Sequence, residues 1–128
     1  MQNIAIPATR QTPAIDLRVS EHRLRLAGEA YPENAVAFFE PVLKSLGDYL
    51  ARGDAAALEV EFELRYLNSA STKMIFKLAG LLDQAAAKGR PVHVRFIVLE
   101  EDEILRELGA DMSADYTWLD FEFVEAAL

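Results

Sequence analysis

The chain has no cysteine. That excludes disulfides, thiolate metal sites and cysteine nucleophiles, and it fits a reducing cytoplasm. Histidine is scarce: only His22 and His93 are present, and no cysteine or second histidine stands at ligand spacing from His93. His22 is expected in an exposed turn. Neither is assigned a metal or catalytic role. No apolar run approaches the roughly 20 residues of a membrane-spanning helix, so direct membrane insertion is not expected. Met1 to Pro7 has neither a basic segment nor a long apolar core, so no signal peptide is expected. Positive charge is short: 13 Lys and Arg face 21 Asp and Glu, giving a net charge of −8 and a pI near 4.7. Such a surface repels phosphate backbones, which excludes a nucleic-acid partner. It also serves simply for solubility. No glycine-flanked serine marks a nucleophile elbow, so a Ser-His-Asp hydrolase is not supported.

What is present is a globular balance of 52% hydrophobic and 27% charged residues over 128 positions. This fits a single domain over residues 1–128, with residues 1–12 as an N-terminal arm interrupted by Pro7 and Pro13. Leu58 to Tyr66 organises the rest. Apolar and polar residues alternate there without a break, the period of a strand with one buried face. The alternation stops at Leu67-Asn68-Ser69-Ala70-Ser71-Thr72. Ile75, Leu78, Leu81, Leu82 and Ala85 then recur at helical spacing. Three hydroxyls and one amide thus stand where a strand hands over to a helix. One of them is expected to be the N-cap, since a side-chain oxygen there accepts from a free amide of the first turn. Loops on a rigid scaffold also carry function, which makes this turn the candidate site.

Ala14 to Val19 and Arg23 to Ala27 alternate about Ser20-Glu21-His22 and read as a hairpin. Pro32 is placed as the first residue of a helix carrying Phe38, Phe39, Val42, Leu43, Leu46, Tyr49 and Leu50. Pro41 lies inside it, so a kink or break is expected near Ala37 to Phe38. Lys88-Gly89-Arg90-Pro91 stops the next helix. Val92 to Val98 alternates as a strand. Leu99 to Gly109 is a short helix with an acidic first turn. Leu119, Phe121 and Phe123 mark the last strand. The order is ββαβαβαβ.

Helical crossovers between strands two, three and four make them parallel neighbours. Their C-terminal ends then share one edge, where α/β sheets place their sites. The expected site gathers Glu29 to Asn34, Asn68 to Thr72 and Leu99 to Glu103. Asp16, Arg18, Arg23, Arg25, Glu59, Glu61, Glu63, Arg65, His93, Arg95, Asp120 and Glu122 all fall opposite the core residues. A doubly covered sheet would show continuous apolar strands instead. The expected architecture is therefore α/β in two layers: a five-stranded mixed sheet with helices on one face and the other face open.

Ile6-Pro7-Ala8-Thr9 with Thr12-Pro13-Ala14-Ile15, Gly28 to Asn34, Tyr66 to Ser71 and Glu100 to Gly109 resemble the SiaC-type biofilm-regulation phosphoproteins over nearly the whole chain. The most specific part is Tyr31-Pro32-Glu33-Asn34 followed by Tyr66-Leu67-Asn68 and hydroxyls. The resemblance implies a fold similar to the anti-sigma-factor-antagonist (STAS) domains and a cytoplasmic, non-enzymatic switch without a cofactor. It implies a partner kinase, a PP2C-type phosphatase and, for the unphosphorylated form, a diguanylate cyclase that it binds and activates. The family's acceptor follows the Asn directly, which carries over to Ser69. The family often has Ser where Ala30 stands and a third hydroxyl where Ala70 stands, and Ser71 is the alternative acceptor. Tyr31, Pro32, Glu33, Asn34, Asn68, Ser69, Ser71 and Thr72 are the expected partner-binding residues. A phosphate adds about −1.5 to −2 charge and gains from a helix N-terminus.

Two other classes fit the residues. A constitutive adaptor would need no phosphorylation. A Mg²⁺-dependent enzyme would use Glu100, Glu101, Asp102 and Glu103, although carboxylates in a first helical turn are also favoured by the helix dipole alone.

Overall fold

Period-two alternation becomes strand wherever it was read. The computed structural model describes residues 3–127; Met1 and Gln2 of the expected arm lie outside the described residues. Strands β1 (Ile4–Ile6), β2 (Ala14–Arg18), β3 (Arg23–Ala30), β4 (Leu58–Leu67), β5 (Val92–Leu99) and β6 (Asp120–Ala126) form one sheet whose strand order is the chain order. The pairs β1–β2 and β2–β3 are antiparallel, and β3 to β6 run parallel. Helices α1 (Ala35–Ala51), α2 (Ser69–Ala87) and α3 (Glu103–Asp115) fill the crossovers.

The sheet has six strands rather than the expected five. Part of the arm supplies the sixth: Ile4 pairs with Leu17 and Ile6 with Ile15, so both isoleucines join the apolar face. The rest of the expected order holds. In β4 the buried set is Leu58, Val60, Phe62 and Leu64, and the buried faces of all three helices join the same core. The opposite face carries the charges. Asp16 stands beside Arg25, Arg25 beside Glu61, and Glu61 beside Arg95. Arg25 reaches Glu61 at 2.6 Å and Glu63 at 2.9 Å. Such cross-strand pairs stabilise an open face modestly.

The local expectations for α1 need amending in part. Pro32 does not begin α1. Asn34 caps that helix, its side chain accepting from the Ala37 amide at 3.0 Å, and Ala35 is the first helical residue. An Asn oxygen satisfies an orphan amide, which proline cannot do. Of the kink or break expected at Pro41, the break does not occur: α1 is one helix from Ala35 to Ala51. Proline withholds an N–H from the Ala37 carbonyl, but Ala37 and Pro41 are both exposed, so water can take that carbonyl. The last helix is also longer than expected, reaching Asp115.

His22 is not a solvated turn residue. It takes a left-handed backbone (φ 55°), and its Nδ1 lies 3.0 Å from the Tyr49 hydroxyl and 3.3 Å from Nη2 of buried Arg90. Arg90 also donates to the Ala56 carbonyl at 2.8 Å and to Tyr49 Oη at 2.5 Å. This cluster ties the β2–β3 turn, the end of α1 and the α2–β5 turn together, at the end of the sheet opposite the candidate site. Residues 22, 49 and 90 are too far apart in sequence for their meeting to be read from it.

Candidate functional site

The expected edge forms around Asn68. It follows β4, and its backbone amide donates to the Ala30 carbonyl at 3.0 Å, one residue beyond the Ala30–Leu67 pair. Its side chain works in both directions. Oδ1 accepts from the Ser71 amide at 2.9 Å and caps α2; Nδ2 donates to the Pro32 carbonyl at 3.3 Å. Its own carbonyl accepts from the Thr72 amide at 2.9 Å and from Thr72 Oγ1 at 3.0 Å. One residue thus joins the β3–α1 loop to the β4–α2 turn.

The Tyr31 to Asn34 segment reaches this place through a register shift between Gly28 and Ala30, where Gly28 adopts φ 115°. That conformation is open to glycine and strained for a side chain. The Tyr31 ring packs edge-on against Tyr66, with centroids 5.6 Å apart. Tyr66 is 54% exposed, a large aromatic left at the surface beside the turn. Tyr66 shares the parity of the buried Leu58, Val60, Phe62 and Leu64, yet near the end of β4 it stays exposed.

The N-terminal loop belongs here as well. Thr9 Oγ1 accepts from the Gln11 and Thr12 amides at 3.2 and 3.0 Å, which shapes a tight turn. The Gln11 carbonyl then accepts from the Tyr31 amide at 2.8 Å. The clue was in the sequence: Thr9 and Thr12 between Pro7 and Pro13 are turn chemistry.

The hydroxyls of the turn divide by position. Ser69 is the first residue of α2 and is exposed. Thr72 is half-buried, its hydroxyl committed to the Asn68 carbonyl. Ser71 is fully buried, and its Oγ has no hydrogen-bond partner. Ser71 therefore presents no hydroxyl to a kinase and no surface to a partner, contrary to its expected place in the site. Its spacing with Ile75, Leu78 and Leu82 extends the inward stripe of α2 back by one turn. Glu33 and Asn34 are exposed; Tyr31, Pro32 and Asn68 are half-buried.

The third expected loop does not join this group through the sheet. Pairing between β4 and β5 ends at Phe62–Phe96, while β3–β4 continues to Ala30–Leu67 and β5–β6 to Leu99–Ala126. Past that point the sheet parts. The Glu100 amide bonds the Ala126 carbonyl, and Asp102 caps α3 by accepting from the Leu105 amide at 3.1 Å. Among the described residues, no group of three His, Asp or Glu side chains stands close enough to hold a metal ion. Asp102 is engaged as a cap, which is the helix-dipole role of such carboxylates.

The model of the SiaC family regulatory phosphoproteins matches residues 6–126. The chain belongs to the SiaC family. An uncharacterized protein of Pseudomonas aeruginosa is 35% identical over 115 residues, 90% of each chain. The crystal structure of apo-SiaC from Pseudomonas aeruginosa superposes with a TM-score of 0.87 at 31% identity, covering 97% of this chain and 99% of that one. SiaC in the crystal structure of the diguanylate cyclase SiaD with its activator SiaC, from the same organism, matches with a TM-score of 0.84 at 33% identity over 98% and 99% of the two chains.

This SiaC-family protein is a regulatory phosphoprotein and not itself an enzyme. The reading of Glu100 to Glu103 as the Mg²⁺ site of an enzyme is therefore corrected. No helix of the described residues is long and apolar enough to cross a membrane.

Proposed function

We propose that this chain is a cytoplasmic partner switch of cyclic di-GMP signalling in biofilm control, with Ser69 as its phosphoacceptor. A dedicated kinase transfers a phosphoryl group to Ser69 Oγ, and a PP2C-type phosphatase hydrolyses the ester. The unphosphorylated form binds and activates a diguanylate cyclase, as SiaC is the activator of SiaD in the related complex. Residues 1–128 act as one domain.

The observation that carries this reading is the division of hydroxyls at the turn. Ser69 is exposed at the start of α2, Ser71 is buried, and the Thr72 hydroxyl is bonded. A kinase must bring an acceptor oxygen into line with a γ-phosphate, which requires an accessible side chain. The added charge of about −1.5 to −2 falls at the positive end of α2, so the modified protein stays folded. A partner packed against Tyr31, Asn34 and Ser69 meets a new dianion and leaves.

The test is phosphopeptide mapping after incubation with the cognate kinase and ATP, with cyclase activity measured in parallel. Phosphate is expected on Ser69, and Ser69→Ala takes up none while it still activates the cyclase. Absence of phosphate anywhere from Asn68 to Thr72 would leave a constitutive adaptor. Ser69→Glu is expected to weaken binding only partly, since one carboxylate imitates a dianion poorly.

A further inference from the structure

The two outer strands of the sheet end it differently. β1 spans three residues and stops at Pro7, which blunts that edge. β6 spans seven residues and follows β5 without a register shift. It holds no proline or lysine, and none of its residues is buried. Among the described residues no strand pairs with its outer side. One bond fixes which way its backbone groups point. The Ala126 carbonyl accepts from the Glu100 amide at 3.1 Å, so Ala126 turns its amide and carbonyl toward β5. Asp120, Glu122 and Val124 share that parity. Phe121, Phe123 and Glu125 therefore turn theirs to the free edge.

The side chains beside this edge differ by face. On the helix side the Phe121 and Phe123 rings stack with centroids 5.8 Å apart, and Phe123 is 48% exposed. On the open side stand Asp120 and Glu122, both exposed. Asp16, Arg25, Glu61, Arg95 and Glu122 are registered neighbours from β2 to β6, so charge alternates in sign across five strands. The row ends on an anion with no strand beyond it. Arg95 pairs with Glu61 at 3.6 Å. Among the described residues His93 alone serves both Asp120, at 3.1 Å, and Glu122, at 2.9 Å. One imidazole carries at most one positive charge against two carboxylates.

We infer that the free edge of β6 takes up, as a seventh strand, an extended segment of another protein that is basic on one face and apolar on the other. Main-chain bonds to Phe121, Phe123 and Glu125 supply affinity, and alternate side chains supply choice. The apolar residues of the segment lie beside the stacked phenylalanines. Its Lys and Arg lie beside Asp120 and Glu122, which continues the alternating row by one strand. A second copy is the wrong occupant. Residues 100–128 hold ten carboxylates against Arg106 alone, a net −9; residues 1–99 hold twelve cations against eleven carboxylates, a net +1. Two β6 edges would bring two such acidic surfaces together, and their repulsion opposes it. β6 lies two strands from β4, so this surface is separate from the turn at Ser69 and the inference goes beyond the switch reading.

The test uses the full-length chain and two end-capped eight-residue peptides, one alternating lysine with valine and one alternating glutamate with valine. Amide hydrogen exchange followed by NMR reads each residue of β6. The lysine peptide is expected to slow exchange at Phe121, Phe123 and Glu125 and to leave Glu122 and Val124, already bonded to β5, unchanged. Its binding should weaken as salt rises. The glutamate peptide should protect none of them. Glu122→Lys, an exposed change, is expected to weaken the lysine peptide several-fold. Glu40→Lys on α1 makes the same change in net charge away from the edge and should bind it as wild type does. Should Glu122→Lys fail to fold, the contrast between the two peptides decides alone. No protection from the lysine peptide, or equal protection from both peptides, overturns the inference. Binding of the lysine peptide without protection at the outward amides reduces it to charge attraction and also overturns it, as does wild-type affinity in Glu122→Lys. Protection of the same three amides that rises with the chain's own concentration, with dimers in sedimentation, assigns the edge to a second copy and overturns it too.

Discussion

Replacing Asn68 by alanine tests the joint at the centre of the site. The change removes two side-chain hydrogen bonds, from the Ser71 amide at 2.9 Å and to the Pro32 carbonyl at 3.3 Å. It leaves the backbone bonds from Asn68 to Ala30 and from Thr72 to Asn68 in place. The first lost bond is an N-cap, worth about 0.5–2 kcal/mol. The second is an ordinary side-chain bond of about 0.5–1.5 kcal/mol. Pro32 is half-buried, so water can partly replace its lost donor and that contribution falls at the low end. The expected loss is therefore about 1–3 kcal/mol. Asn68→Ser separates the two terms, since a serine oxygen keeps the cap but cannot reach Pro32. It should lose no more than about 1 kcal/mol. The assay is urea unfolding followed by far-UV circular dichroism, with the slope checked for constancy across variants. An alanine variant within about 0.5 kcal/mol of wild type, the range of an uninvolved surface substitution, would refute the joint. So would a serine variant as damaged as alanine.

Gly109→Ala places a Cβ 2.9 Å from ring atoms of Phe96 and Phe123. Phe123 is exposed and can swing, but Phe96 is buried, so a net loss of about 1–3 kcal/mol is expected despite the better helix propensity; an unchanged thermal midpoint would contradict it. Pro41→Ala restores an N–H for the Ala37 carbonyl. Against a proline cost of up to about 3 kcal/mol and an unfolded-state offset of about 0.4–1 kcal/mol, calorimetry should show a gain in stability. His93 accepts or donates between Asp120 at 3.1 Å and Glu122 at 2.9 Å, and these carboxylates raise its pKa, Asp120 most. A raised folded value makes the stabilising contribution complete below about 6.5, the ordinary imidazole value, and removes it as the pH climbs through the higher folded one. Wild type should therefore lose stability relative to His93→Gln across that window, by a small amount because Asp120 is largely exposed. Equal pH profiles for the two proteins would refute it.

The strands and the open face were legible because both depend on parity along a single segment. Leu58 to Leu64 declares its buried side without reference to any other part of the chain. β1 was not legible: Ile4-Ala5-Ile6 is three residues before a proline, too short for a period, and only the β2 edge makes it a strand. The site was legible as a turn with hydroxyls. Which hydroxyl faces outward was a matter of helical phase, set by Asn68 as cap and by Ser71 falling in line with Ile75. The His22, Tyr49 and Arg90 cluster was illegible for a different reason. Its members come from two turns and the end of α1, and only the closed fold brings them within hydrogen-bonding distance.

A sheet whose strand order is its chain order grows like a wall laid course by course. The β1–β3 meander closes through the loop from Pro7 to Pro13 and the turn from Val19 to His22, and each later strand docks on an edge already in place. No strand has to be threaded between two formed neighbours, but the parallel pairs β3–β4, β4–β5 and β5–β6 each close across a helical crossover, a non-local step that is slow. During synthesis the growing edge moves with the ribosome. Before Asp120 emerges, that edge is β5, with Val94, Phe96 and Val98 on its apolar side. An apolar strand with unpaired amides and carbonyls is a template for misassociation. β6 closes it with Asp120 and Glu122 pointing to the open face. A chain halted before β6 is thus expected to be the form most prone to stick to its own kind.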